Sequence, residues 1–112
     1  MEDNLNILIV TLSTGDELIT NVKDHFEKRD GVDQKVCYNM VYPFVLTSEG
    51  PVKDGQVGVL LKPWKLFSSD ISFLIGFDQV VNMCTPQTNI LEQYKQAIDG
   101  YIDAVANAEP II

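Results

Sequence analysis

The segment Ile7–Leu12, "ILIVTL", constrains the fold more than any other stretch, because it is apolar on both faces of a strand. Leu8, Val10 and Leu12 share one face at a period of two, and Ile7 and Ile9 share the other. A strand of this kind is covered on both sides. A sheet containing it therefore needs a core beneath and a second layer above.

The rest of the chain supplies candidates for both. Ser13, Thr14, Gly15 and Asp16 form a turn in which Gly15 takes a positive φ. "ELITNV" returns as a strand with Leu18 and Val22 inward. "KDHFEKRDGVDQK" is charged and broken by Asp30-Gly31, so it reads either as an extended hairpin tip or as a mobile loop. "VCYNMVYPFVLT" is strand again, with Pro43 marking an edge, a bend or a bulge. "SEGPVKDGQ" is turn material by composition. "VGVLLKPW" and "DISFLIGFDQVVNM" are two further β runs, with "KLFSSD" expected to close a hairpin between them. Gly76 is expected to split the second run into two short strands.

From about residue 86 to 108 the period changes. Ile90, Leu91, Tyr94, Ala97, Ile98, Tyr101, Ile102 and Val105 recur at steps of three and four, one face of an amphipathic helix. Thr85 with Pro86 behind it, or else Thr88, suits its N-cap. Gly100 in its interior costs about 1 kcal/mol relative to alanine and is read as room for close packing. This helix is the expected cover for Ile7 and Ile9. The fold class is thus mainly β: a strongly bent, five-stranded, small open barrel over about residues 5–84, with one C-terminal helix, in a single domain spanning 1–112.

Composition narrows the functional classes. The chain has 112 residues, 46% of them hydrophobic, enough for one modest core. Sixteen acidic residues against eight basic ones give a net charge of −8, which repels phosphate chains in general. No apolar run is long enough to span a bilayer, so no membrane partner is expected. The acidic start "MEDNLNILIV" does not suit an export signal, and a cytoplasmic location is expected. Cys37 and Cys84 have no metal-ligand spacing and read as buried thiols in a reducing compartment. No cofactor, metal or catalytic motif is found. His25, beside Asp24 and Glu27, reads as a solvated loop residue.

The stretch from Leu8 to Val22 resembles the first motif of the Sm-like proteins, the family of spliceosomal Sm proteins and bacterial Hfq. Leu8, Val10, Leu12, Gly15 and Leu18 fill its hydrophobic and glycine places, and Val22 a later apolar one. "NMVYPFVL" echoes the motif's second part, with Asn39 at the aspartate position, Tyr42 at the methionine and Pro43 at the asparagine. "IGFDQVVNM" resembles the second motif, with Gly76 where the family has arginine. More loosely, the chain is similar to the divergent Sm-like proteins of cyanophages, which would place it in a host cytoplasm.

The resemblance implies a homo-oligomeric ring, closed by pairing the edge strands of neighbouring copies, that binds single-stranded RNA in processing or regulation. It implies Tyr42 as a base-stacking residue at the pore, with Asn39 beside it. The residues themselves also suit a Tyr42 packed in a strand or at the subunit interface. Lys62 and Lys65 flank Trp64 in a basic-plus-aromatic pattern that single-stranded nucleic acid favours. The same residues also suit a half-buried tryptophan with lysines shielding a strand edge. Residues 24–36, with Lys28, Arg29 and Lys35 among acids, are either a solvated projection or a surface for a protein partner. A ring acting as a structural or adaptor module without nucleic acid is the alternative function.

Overall fold

The computed structural model describes residues 5–53 and 56–107, with side chains for 5–48 and 58–102. Among the described residues six strands and one helix follow in order: β1 (Ile7–Leu12), β2 (Glu17–Arg29), β3 (Val32–Lys53), β4 (Gln56–Pro63), β5 (Ser72–Ile75), a single 3₁₀ turn (Phe77–Gln79), β6 (Val80–Cys84) and α1 (Thr88–Asn107). All pairings are antiparallel. The path across the sheet is β4-β3-β2-β1-β6, with β5 also on β3. The sheet is not closed into a barrel.

β4 and β5 do not pair with each other as a hairpin, contrary to the expectation for "KLFSSD". Both lie on the same side of β3: β4 pairs with Phe44–Lys53 and β5 with Tyr38–Val41. They form one interrupted track, and residues 64–71 are an excursion from it. Counted as tracks, the sheet has the five expected strands; counted as strands, it has six. Gly76 does end the short β5 and precede the 3₁₀ turn.

Residues 24–36 are not a loop. They continue β2 and β3 as a two-stranded ribbon paired out to Arg29↔Val32. Its turn is the dipeptide Asp30-Gly31, with φ of 53° and 77°, the positive pair that a two-residue hairpin of this hand requires. Gly15, at φ 97°, turns β1 into β2 as expected.

The apolar doubling of β1 is resolved by two cores. Beneath the sheet, Val10, Leu12, Leu18, Val22 and Met40 are buried together, with Tyr38, Trp64 and Ile75 against them. Above it, Ile19, Phe44 and Tyr94 are buried, with Ile7, Ile9, Ile90, Ala97, Ile98 and Tyr101 around them. The helix is therefore the cover that Ile7 and Ile9 demand. It begins at Thr88, so buried Pro86 lies ahead of the first turn and not within it. Leu91 N–H donates to the Gln87 carbonyl at its start. At Gly100 a Cβ would meet nothing within 4 Å, so this glycine makes no close approach.

Candidate functional site: the bulge, the aromatic cluster and the open edges

The most distinctive local structure is a bulge at Tyr42-Pro43. β2 advances from Ile19 to Asn21 while β3 advances from Val41 to Phe44. The extra residue leaves Tyr42 at φ 51°, the left-handed region that a residue with a side chain adopts reluctantly. Pro43 has no N–H to lose from the ladder, which is why the sequence tolerates proline here.

Hydrogen bonds from four directions hold this backbone. Tyr42 N–H donates to the Ile71 carbonyl at 2.7 Å, and Trp64 N–H donates to the Pro43 carbonyl at 2.9 Å. The bulge thus ties down both ends of the 64–71 excursion. Thr20 Oγ1 donates to the Val41 carbonyl at 2.8 Å. The Tyr94 hydroxyl, from the helix, lies 2.8 Å from the Tyr42 carbonyl and 3.2 Å from that of Val41. Burial pushes the Tyr94 hydroxyl well above the usual tyrosine range, against smaller opposing effects of its hydrogen bonds. It is a neutral donor.

Around the bulge the aromatic rings meet edge to face: Tyr42 with Tyr101, Phe44 with Tyr94 and Tyr101, and Trp64 with Phe73. Lys65 Nζ sits over the Trp64 ring at 4.2 Å from its centre. Tyr42, Trp64 and Lys65 line one small depression, so the structure brings together three of the five residues singled out for RNA. The other two lie outside it. Lys62 is exposed on β4, opposite Val45. Asn39 stands between Lys23 and Leu74, and its Oδ1 is buried without a partner. The depression holds only about 20 Å³, room for about one water and not for a base. Tyr42 is packed against the helix-side core. Gly76 contributes no side chain where the resemblance has arginine; a Cβ there would meet Asp78 Oδ1 at 2.7 Å.

Charge on the ribbon is internally matched. Lys35 Nζ pairs with Asp24 at 3.0 Å, Lys28 with Asp33 at 3.2 Å, and Arg29 with Glu27 at 3.6 Å. Hydrogen bonding to Asp24 raises the Lys35 pKa. Its ammonium also lies 5.0 Å and 5.5 Å from the Tyr38 and Phe77 ring centres. His25 is on β2 and half-buried, 3.6 Å from Glu27, and not in a loop. Cys37 is half-buried but Cys84 is exposed, correcting the expectation of two buried thiols.

The sheet edges are the third feature. Among the described residues, the β4–β5 track and β6 each have one side without a strand partner. Leu60 on β4, Leu74 on β5 and Val81 on β6 are exposed there, and Leu66 and Phe67 are exposed on the excursion. Lys62 and Lys65 accompany the first edge. Asp16 and Asp78 accompany the second, on two turns joined by Ser13 Oγ and Gln79 Oε1 at 2.8 Å.

A family model described as a family of unknown function, DUF6561, matches residues 5–99. The chain belongs to that family. The matched span takes in every strand of this DUF6561 domain and the first turns of its helix, including Tyr94. No curated protein matches the chain.

Sequence reasoning missed Asn21, Tyr94 and Tyr101 as parts of the site. Tyr94 was legible only as one residue of a helical stripe, because its partners lie 52 and 53 positions away. The signal at Asn21 was an amide set among Leu18, Ile19 and Val22 in the return strand, at a position where burial requires a partner.

Proposed function

We propose that this chain is an Sm-like assembly module whose copies join edge to edge into a closed ring that presents its ribbons and rims to protein partners. The observation that carries this reading is the pair of strand edges, each unpaired among the described residues and each bearing exposed apolar side chains. Open edges invite strand pairing, and a head-to-tail contact that closes makes a ring. Lys62 and Lys65 lie along one edge and Asp16 and Asp78 beside the other, a difference in charge that supports joining unlike edges. Five strand tracks and a long bulged central strand support the likeness to Sm-like proteins.

Single-stranded RNA is the second reading. It is favoured by Lys65 over Trp64 beside the Tyr42 bulge. The protein-partner reading stands first because the net charge is −8, three ribbon cations are already on acids, and the depression is too small for a base. Neither reading assigns the chain a catalytic role.

The test combines one variant with one titration. Leu74→Lys with Val81→Lys is expected to convert a multi-subunit species into monomers on a sizing column, with an unchanged circular-dichroism spectrum. Wild-type protein that is already monomeric would sink the assembly reading. Titrating labelled oligouridylate and oligoadenylate into the wild type is expected to give no binding. Salt-dependent binding that Trp64→Ala abolishes would establish the second reading in place of the first.

A further inference from the structure

Between α1 and the sheet lies a cavity of about 610 Å³, separate in character from the aromatic depression. Its walls are Leu5, Ile7, Val41, Ile98 and Ile102, with Tyr42 and Tyr94 at one end. That volume is in the range of small-molecule sites, and an apolar lining with few polar groups is their usual character.

Two donors converge on it. Asn21 is only 8% exposed. Its Oδ1 accepts the Asn6 backbone N–H at 2.9 Å, which fixes the amide's orientation. Among the described residues its Nδ2 donates to nothing, and Asn21 lines the cavity. The amide nitrogen is thus a free donor at the cavity wall, and the space beside it suits an acceptor oxygen. The second donor is Lys95, an exposed residue on the α1 wall opposite, which has no ion pair with a described residue. Asp99, one turn further on, also lines the cavity, and disfavours a second negative charge on any occupant. The Tyr94 hydroxyl is already committed to the Tyr42 and Val41 carbonyls.

We propose that this cavity binds a small amphipathic monocarboxylate, its apolar body against Leu5, Ile7, Ile98 and Ile102 and its carboxylate between Asn21 Nδ2 and Lys95. A carboxylate accepts from both donors at once, and the apolar walls reward a hydrocarbon body. The site is independent of the assembly reading, because no residue of the two open edges lines it.

The experiment is calorimetric titration of the full chain with decanoate below its micellar range, alongside decyltrimethylammonium with the same tail and the opposite head. Saturable binding of one decanoate per chain is expected, with no saturable binding of the cation. Lys95→Gln should weaken decanoate about tenfold, the effect of losing a charge-assisted hydrogen bond. Ile98→Trp, which puts an indole ring on the wall against which the hydrocarbon body lies, should weaken it as well. No saturable decanoate binding, equal binding of the cation, or affinity unchanged in Lys95→Gln would overturn the proposal. If Ile98→Trp does not fold by circular dichroism, Lys95→Gln on the surface of the helix decides.

Discussion

The strands β2 and β3 run through two environments, and the contrast separates what packing contributes from what strand pairing contributes. Leu18 to Val22 are buried at every position, beneath Met40 on one face and beneath Phe44 and the helix on the other. From Lys23 to Arg29 the same strand is exposed except at half-buried His25, though the ladder continues without a break in pairing beyond one bulge. The body has a core on each face; the ribbon has a ladder, a two-residue turn and ion pairs. Two-stranded ribbons alone are marginal in water, and exposed ion pairs add little. The ribbon therefore owes its persistence to being continuous with strands that the body fixes.

That account ranks substitutions. The largest effect is expected for Phe44→Ala, which empties space between the sheet, Tyr94 and Tyr101. It should lose about 3–5 kcal/mol in denaturant unfolding. A loss near that of a surface site would break the contrast at its strong end.

Next is Tyr94→Phe, which removes the hydroxyl on the bulge carbonyls and should lose about 2 kcal/mol. It also carries a pH signature. The folded hydroxyl titrates above its ordinary value of about 10. Its stabilising contribution is then complete below about pH 10 and is lost as pH rises through the raised folded value. Wild-type stability should fall above pH 10, and Tyr94→Phe should lack that part of the fall. Matching alkaline slopes in the two proteins would show that the hydroxyl does not hold the bulge.

Gly100→Ala is expected to change stability in the opposite direction, by about 0.5–1 kcal/mol, because the new methyl meets nothing and the helix interior favours alanine. Thermal unfolding of that variant sharpens the comparison from the helix side. The smallest effect belongs to the ribbon: Lys28→Ala, which removes the exposed pair with Asp33, should stay within about 0.5 kcal/mol. A loss rivalling Tyr94→Phe would mean that the ribbon is held by its charges after all.

Much of the body was legible in the sequence because its signals are local. The double-faced strand at Ile7–Leu12, the positive φ at Gly15, the break at Gly76 and the stripe from Ile90 onward each depend on neighbours within a few residues. The ribbon was harder. Its charged composition suits a loop as well as a strand, and only Asp30-Gly31 pointed to a hairpin. "KLFSSD" misled for a similar reason, since its turn-like composition does not reveal that β4 and β5 share an edge of β3. The site was least legible. Tyr42, Trp64 and Lys65 were found as types of residue, but what brings them together is the clasp from Tyr94 and the Ile71 and Trp64 hydrogen bonds across the excursion. The cavity at Asn21 left only the faint mark of one amide among apolar residues.

The most direct test of edge-to-edge assembly is the mass of the wild-type chain by light scattering across a wide concentration range, with absorbance recorded at nucleic-acid and protein wavelengths. The expected result is one multi-subunit species of constant mass without nucleic-acid absorbance. A monomer at every concentration would contradict it.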